Sequence, residues 1–316
     1  MTLSDHVRTL GRGPGRSRSL TRDEARDAMR LMLSGQAAPE AVGALLMLLR
    51  MKGETADEIA GLAEAATAAA PALPPVDLDW PSYAAGRTRG QPWFLLSARL
   101  VADAGYRVLL HGWNGPHGKL RDGLAEAGIG IATRPDAAAR LLDRDRIAYM
   151  PLDHLHPELF RLLALRDALG LRSCVNTVCR MLNPAGAPAS VQGVFHPSYR
   201  LLQSDAAARL GWDALSVIKG GGGEFERNPA KEIAAFGLRA GRAWDGTLAA
   251  TNDETRRLSD SAALSLTDLW QGRRTAAFET DVILETAALA LDTLGDGNAA
   301  ARARTLWQSR AARRAA

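Results

Sequence analysis

Residues 173–194 read S-C-V-N-T-V-C-R-M-L-N-P-A-G-A-P-A-S-V-Q-G-V. Two asparagines, Asn176 and Asn183, stand seven positions apart, and Pro184 follows the second one directly. Because proline disfavours helical geometry in the residue before it, the first half is predicted to be a helix that ends near Asn183. The β-branched and apolar residues over 189–195 predict a strand after a short loop. A helix followed by a buried strand is typical of an α/β domain.

The same alternation of strand and helix continues along the chain on both sides. Apolar runs predict strands over 107–111, 129–133, 147–151, 190–195 and 214–219. Helical spacing of apolar residues predicts helices over 119–127, 156–169, 172–182, 198–210, 253–271 and 276–294. Strands that alternate with helices indicate a large α/β domain with a mainly parallel central sheet.

Residues 5–19 are glycine-rich and basic and are expected to be flexible, and helical patterns follow from Thr21 to Ala70. Thr21 with Glu24, and Thr55 with Glu58, have the spacing of capping boxes. In a capping box the hydroxyl and the carboxylate each satisfy a free backbone N–H group at the start of a helix. The sequence therefore predicts a small helical N-terminal domain.

Prolines divide the chain. Four of them lie between residues 71 and 81 and predict a stiff linker. The predicted division is a helical domain over 1–70, a linker over 71–81 and the α/β domain over 82–316. Helices near 156–182 are candidates to pack on the helical domain.

The composition is that of an ordinary soluble globular protein. The 316 residues are 47% hydrophobic and 23% charged. No apolar run reaches the roughly 18–20 residues that a membrane span needs, and the first ten residues lack the apolar core of a secretory signal. Cys174 and Cys179 form neither a disulfide framework nor a Cys-x-x-Cys site. We expect a cytoplasmic protein that has no membrane partner.

Arginine is concentrated at both ends, although the net charge is only +4. Six arginines face three acidic residues over 1–26, and five arginines follow Asp296 with no further acid. Such arms are usually solvated, and the alternative is that they contact phosphates.

The stretch over 169–194 resembles the central segment of the anthranilate phosphoribosyltransferase family. It follows the pattern L-G-x-R-[ST]-x-x-N-T-x-x-x-x-x-N-P-A-G-x-P-x-x-x-x-G-V, and residues 20–64 resemble that family's helical N-terminal domain. The resemblance implies the same two-domain fold. It also implies that Arg166 stands at an anthranilate-contacting position and that Asn176 and Asn183 stand in the pocket.

The phosphate and metal motifs of that family are altered here. The loop G-T-G-G-D is replaced by P-S-Y-A-A-G-R-T-R-G-Q over 81–91. The magnesium motif D-G-x-D-E is replaced by K-G-G-G-G-E-F-E over 219–226, where Phe225 stands at an aspartate position and only Glu226 matches. A shift of register would bring Glu224 into the motif. Because magnesium needs oxygen ligands, these departures predict loss of the original reaction.

The residues retained from the family's site are predicted to form a vestigial pocket, without a catalytic residue, a metal site or a cofactor. They are His111, Asn114, Arg166, Asn176, Asn183 and Glu226.

A second resemblance is to the YbiB-type DNA-binding family. It is carried by G-R-G over 11–13, R-S-L-T-R-D over 18–23, K-G-E over 52–54, P-S-Y over 81–83, H-G over 111–112 and G-E-F-E-R-N-P over 223–229. This resemblance implies a homodimer that binds nucleic acid with little sequence preference. The basic side chains proposed for that surface are Arg12, Arg16, Arg18, Arg22, Arg87, Arg89, Lys119 and Arg121.

Three hypotheses follow from the sequence. The first is sequence-nonspecific binding of DNA, or of RNA, on a fold that has lost catalysis. The alternative is an active phosphoribosyltransferase that uses phosphoribosyl pyrophosphate, magnesium and a small aromatic acceptor. The third is a binding module for a nucleotide or a protein. Near-contiguous apolar residues over 29–33 and 45–49 also predict a homodimer through the helical domain.

Overall fold

The computed structural model describes residues 1–13, 15–84, 90–113, 119–254 and 264–310. Its N-terminal part is helical, with α1 (Leu3–Gly11), α2 (Arg22–Leu33), α3 (Pro39–Lys52) and α4 (Ala56–Ala69). Both predicted capping boxes are present at the starts of α2 and α4. The prediction of a helical N-terminal domain is confirmed.

One seven-stranded sheet forms the centre of the larger domain. Its strands are β1 (Leu78–Ser82), β2 (Val108–Gly112), β3 (Ile147–Pro151), β4 (Ala189–Val194), β5 (Ala214–Lys219), β6 (Ile233–Arg239) and β7 (Arg242–Leu248). The order is β3-β2-β1-β4-β5-β6-β7, in which the first five strands are parallel and β6 and β7 are antiparallel. The mainly parallel sheet of the predicted α/β domain is therefore confirmed.

Ten helices of the described chain surround this sheet. They are α5 (Phe94–Asp103), α6 (Lys119–Glu126), α7 (Pro135–Asp145), α8 (Leu152–Leu155), α9 (Pro157–Leu169), α10 (Val175–Arg180), α11 (Tyr199–Leu210), α12 (Leu266–Trp270), α13 (Ala277–Thr293) and α14 (Ala299–Ser309). Helices α9, α10 and α11 lie against α2 or α4, whereas α5, α13 and α14 pack together on the other side. Two apolar cores result, and one of them is continuous with the helical domain.

The predicted linker over 71–81 is wrong at its end. Strand β1 begins at Leu78 and lies between β2 and β4 in the middle of the sheet. Leu78 and Trp80 are fully buried there, and Asp79 is buried between them on the other face. The prolines of this segment, including Pro81 in the strand itself, favoured a linker in the prediction, because proline is rare inside sheets.

Two further differences concern the sheet and its edge. Residues 129–133, predicted as a strand, form only a single bridge between Ile131 and Tyr149. The sequence interpretation also missed the β6–β7 hairpin, whose outer strand is largely exposed and therefore lacks an apolar run. Among the described residues, every helix is too short or too polar to cross a bilayer.

The apolar side chains behind the homodimer prediction are mostly buried inside the chain. Met29, Met32, Leu45, Leu46 and Leu49 are no more than 1% exposed and belong to the core of the helical domain. Their close spacing thus reflects packing inside the helical domain, where α2 lies against α4 and α3 lies against α1.

Candidate functional site

A cavity of about 320 Å³ opens between the helical domain and the carboxyl edge of the parallel strands. Its walls come from α3, from the end of α9 and the turn after it, from α10, and from the segment that joins β4 to α11. In open parallel sheets, ligands bind at the carboxyl ends of the strands. The cavity therefore lies where a ligand is expected.

Of the described side chains that line this cavity, four are arginines and none is acidic. They are Arg50, Arg166, Arg172 and Arg180, and we call them the arginine cluster. Burial, and the positive charges of Arg166 and Arg50, lower the pKa of Arg172. Like charges held this close repel one another, so the cluster is suited to an anion that relieves the repulsion.

Arg180 forms the floor of the cavity and is only 6% exposed. Its Nε donates to the Gly193 carbonyl at 2.9 Å, and its Nη1 donates to the Asn176 carbonyl at 3.1 Å and to the Asn176 side-chain oxygen. Its Nη2 lies 3.5 Å from the Gly223 carbonyl. Burial lowers the pKa of Arg180, and the carboxylate of Glu224 opposes that effect. The guanidinium thus ties α10 to β4 and to the turn after β5.

The mouth of the cavity is partly aromatic. Phe195 is 57% exposed, and its ring meets that of His196 edge-on with centroids 5.0 Å apart. The Tyr199 hydroxyl lies 3.5 Å from a carboxylate oxygen of Glu54, whose pKa is raised by burial. An aromatic mouth above a cationic floor matches a small aromatic anion.

A second, basic cavity of about 440 Å³ adjoins the glycine-rich turn after β5. Arg200, Lys219 and Lys231 line it, together with the backbone of 220–222 and two acidic residues. Gly222 has a positive φ of 64°, which a glycine adopts without strain. Exposed backbone and basic side chains of this kind are suited to phosphate groups.

The residues at the altered magnesium motif do not fit a magnesium site. Phe225 is fully buried and packs edge-on against Trp80, with centroids 5.4 Å apart. Glu224 accepts the Ala84 N–H, and Glu226 accepts the Phe94 N–H at the start of α5, each at 3.0 Å. The described part of the chain contains no group of three or more His, Cys, Asp or Glu side chains that could hold a metal.

The predicted vestigial pocket is divided by the structure. Arg166 and Asn176 line the first cavity, while Glu226 lies at the second. Asn183 has a positive φ of 36° and closes a turn through two hydrogen bonds to Ala187. Asn114 lies outside the described residues.

His111 is buried away from both cavities. Its Nδ1 lies 2.7 Å from the Tyr83 hydroxyl, and its Nε2 lies 3.0 Å from Asp79, which also accepts the Ser190 hydroxyl at 2.8 Å. Burial raises the pKa of Tyr83 well above its ordinary value, so the phenol stays protonated and its O–H group donates a hydrogen bond to Nδ1. The ring proton of His111 therefore lies on Nε2, and this N–H group donates a hydrogen bond to Asp79. This network joins β1, β2 and β4.

Two of the arginines predicted to bind nucleic acid are engaged in the helical domain. Arg18 forms a two-pronged ion pair with Glu24, with both distances 2.6 Å. Arg22 donates to Glu64 at 2.9 Å and to the Arg209 carbonyl at 2.6 Å.

The other residues of that predicted surface are scattered. Arg12 and Arg16 are exposed after α1 in the helical domain. Lys119 and Arg121 belong to α6 in the larger domain. Arg87 and Arg89 lie outside the described residues.

The Arg18–Glu24 pair predicts a pH-dependent stability. Mainly through Arg18, the pKa of Glu24 falls from 4.5 to about 2. A carboxylate with a lowered pKa in the folded state stabilises the protein above its unfolded pKa, and this contribution disappears as the pH falls toward 2. Glu24→Gln should therefore lower the free energy of unfolding by about 1 kcal/mol at neutral pH, the upper range for exposed pairs.

The difference between Glu24→Gln and the natural chain should shrink steadily in thermal melts recorded between pH 4.5 and about 2. Arg18→Gln serves as the matched control, because it removes the other partner of the same pair. A difference that is unchanged across this range would show that the pair does not stabilise the fold.

The sequence interpretation missed most of the arginine cluster. Arg172 stands inside the quoted L-G-x-R pattern. Arg180 follows Asn176 by four residues, which places Asn176 and Arg180 on one face of α10. Those two spacings are the available signals. Arg50 is 116 or more positions away from the other three along the chain, so only the fold brings it to the cavity.

Comparison with known proteins agrees with this architecture. The profile of the glycosyl transferase family's helical bundle domain matches residues 4–70, and that of the family's a/b domain matches residues 95–307. The crystal structure of anthranilate phosphoribosyltransferase from Thermus thermophilus has a TM-score of 0.79 at 22% identity, covering 98% of this chain and 95% of that one. The fold resemblance stated from the sequence is confirmed.

Relatives in sequence have the same name. The anthranilate phosphoribosyltransferase of Rhizobium rhizogenes is 33% identical over 210 residues, which are 64% of this chain and 61% of the relative. The anthranilate phosphoribosyltransferase of Moorella thermoacetica is 31% identical over 308 residues, which are 92% of this chain and 89% of the relative.

These findings overturn the prediction of a DNA-binding protein. The relatives are named as phosphoribosyltransferases, which favours the enzymatic alternative, and none of the matches described above supports a YbiB-type assignment. The expectation that the chain is not an enzyme has no support either. The basic N-terminal segment misled the interpretation, because Arg18 and Arg22 serve the helical domain itself. With both of its domains matched, the chain belongs to the glycosyl transferase family.

Proposed function

We propose that the protein is a phosphoribosyltransferase that transfers a phosphoribosyl group to a small aromatic acid. The observation that carries this proposal is the arginine-lined cavity at the carboxyl edge of the sheet. The names of its relatives supply the reaction class.

The acceptor binds in the arginine cluster. Its carboxylate pairs with Arg166 and Arg172, because guanidinium forks match the two oxygens of a carboxylate. The amide of Asn176 borders the same space, and the aromatic ring of the acceptor lies toward Phe195 at the mouth. This arrangement holds the acceptor near the end of β4.

The donor, phosphoribosyl pyrophosphate, binds at the glycine-rich turn. Lys219, Lys231 and Arg200 face its phosphate groups there, and the backbone of 220–222 approaches them without side chains. The two cavities are neighbours, because a Cβ atom added at Gly223 would lie 3.5 Å from Phe195 of the acceptor cavity. Donor and acceptor can therefore meet across this turn.

In the reaction, a nucleophilic nitrogen of the acceptor forms a bond to C1 of the ribose. The bond between C1 and the pyrophosphate oxygen breaks, and pyrophosphate leaves with that electron pair. The nitrogen loses one proton to water at the open mouth. The chain contributes orientation of the two reactants and screening of their charges.

Acceptor-dependent release of pyrophosphate tests the proposal. The natural chain, incubated with phosphoribosyl pyrophosphate and anthranilate in the presence and absence of magnesium chloride, should release pyrophosphate only when both organic reactants are present. Absence of acceptor-dependent release with anthranilate and with a panel of other amino-substituted aromatic acids would overturn the proposal.

Arg166→Met should raise the KM for the acceptor by roughly tenfold to a hundredfold, because a hydrogen bond between charged groups contributes about 1.5–3 kcal/mol. The kcat should change less, since the arginine binds the carboxylate equally in the ground and transition states. Arg140→Met is the matched control. Arg140 is 71% exposed and pairs with Asp136 on α7, outside the cavity, so its replacement should leave the KM unchanged.

A further inference from the structure

The arginine cluster has more positive charge than one carboxylate can use. An ionised carboxylate accepts about four hydrogen bonds, which two guanidinium forks already supply. Among the residues that the structure describes, four arginines and no acidic side chain line this cavity of about 320 Å³. A ligand with a single carboxylate would leave part of the cluster without an anion.

The four side chains are divided into an outer and an inner group. Arg50, Arg166 and Arg172 form the outer group on the side of the helical domain, and the charges of the first two act on the third. An additional bond holds this group in place, because Arg50 Nη1 donates to the Arg172 carbonyl at 2.6 Å.

Arg180 is the inner group. It is 6% exposed, and the hydrogen-bond acceptors around it are the oxygens of Gly193, Asn176 and Gly223, which are amide oxygens without formal charge. The carboxylate that acts on its charge is Glu224, and one oxygen of Glu224 already accepts the Ala84 N–H. Burying a guanidinium at the floor of a cavity is costly, and an anion bound in the cavity would add to the compensation that Glu224 provides.

The space between the two groups is bordered by apolar and aromatic side chains. Val194 follows Gly193, whose carbonyl accepts from Arg180, and Phe195 and Leu171 are 57% and 46% exposed at the mouth. A volume of about 320 Å³ accommodates one substituted ring. A flat ring would bury these surfaces while its substituents point to the two groups of arginines.

We propose that the ligand of this cavity is an aromatic acid with two anionic groups, of which one binds the outer arginines and the other binds Arg180. This inference rests on the proposed function for the reaction, and it restricts the acceptor to aromatic acids that have two anionic groups. The second anionic group is a carboxylate or a phosphate ester, which share the oxygen acceptors that guanidinium recognises.

Direct binding to the natural chain tests the inference without any turnover. Isothermal titration calorimetry with benzoate, isophthalate and meta-carboxyphenyl phosphate compares one anionic group with two on the same ring. Isophthalate, carboxyphenyl phosphate or both should bind at least about tenfold more tightly than benzoate. The tighter of these two ligands identifies the second group as a carboxylate or a phosphate. Equal affinity for all three ligands would overturn the inference.

Two variants locate the second group. Arg180→Met should reduce the affinity for the preferred dianion to that of benzoate and leave benzoate nearly unaffected, whereas Arg166→Met should weaken both. Arg140→Met again serves as the control, and circular dichroism reports whether each variant folds. If Arg180→Met does not fold, Arg180→Lys keeps a charge but loses the fork, and it should still bind the dianion less tightly. A dianion preference that survives the Arg180 change in a folded variant would contradict the proposed placement.

The binding and turnover experiments fail separately. Tight binding of the dianion without pyrophosphate release would overturn the proposed reaction and leave the ligand class standing. Turnover of anthranilate together with equal affinities for the three probes would support the proposed reaction and overturn the ligand class.

Discussion

Replacing Gly193 with alanine is expected to destabilise the protein by about 3 kcal/mol or more. A Cβ atom at this position of β4 would lie 2.0 Å from the Glu224 carbonyl carbon and 2.3 Å from the Phe225 nitrogen. Backbone atoms cannot move aside as the end of a side chain can. The neighbouring segment is also held from two sides, because Glu224 accepts the Ala84 N–H and Phe225 packs on Trp80.

Urea denaturation of the Gly193→Ala variant measures this effect. Gly297→Ala is the matched control, since no heavy atom lies within 4 Å of a Cβ atom built there and its φ is not in the left-handed region. The control should be neutral or slightly stabilising, because alanine restricts the unfolded chain. Equal stability of the two variants would show that β4 and the turn after β5 are not closely packed.

Replacing Asp79 with leucine is expected to cost about 3 kcal/mol, because two buried donors lose their acceptor. These donors are the Nε2–H of His111 and the hydroxyl of Ser190, which lie 3.0 Å and 2.8 Å from the two carboxylate oxygens. His111, Asp79 and Ser190 are at most 1% exposed, so water cannot replace the lost partner. Leucine has the same branching and the same number of side-chain heavy atoms as aspartate but no acceptor, so the variant chiefly removes the two hydrogen bonds.

The free energy of unfolding at neutral pH tests this prediction, with Asp143→Leu as the control. Asp143 is 70% exposed and pairs with Arg107, so its removal should cost at most about 1 kcal/mol. In a double-mutant cycle, Ser190→Ala should cost less in the Asp79→Leu background than in the natural chain. Nitrogen NMR of His111 should show a proton on Nε2, and a proton on Nδ1 would contradict the assigned direction of the network.

Short-range patterns in the sequence were sufficient for most elements. The capping boxes at Thr21 and Thr55 involve residues three positions apart, and β5 and α13 form where apolar residues predicted a strand over 214–219 and a helix over 276–294. Such interactions depend on neighbours in the chain, so the residue types alone are informative. The two-domain class and the family resemblance were therefore determined by the sequence.

The function inferred from the same patterns was less secure, because a residue type does not reveal its partner. Arg18 and Arg22 were interpreted as a phosphate-binding surface, and the fold pairs them with Glu24 and Glu64. Asn183 was assigned to a pocket, and its side chain closes a turn.

The tertiary structure alone decided the composition of the site. Glu226 bonds to an N–H group 132 positions away, and Arg50 from α3 reaches the arginines of α9 and α10 across the junction of the domains. No local periodicity encodes such contacts, because they depend on how the helical domain and the sheet pack together. The sequence by itself thus determined the elements and the family. Packing over long chain separations determined which arginines meet, and which carboxylates hold backbone N–H groups instead of a metal.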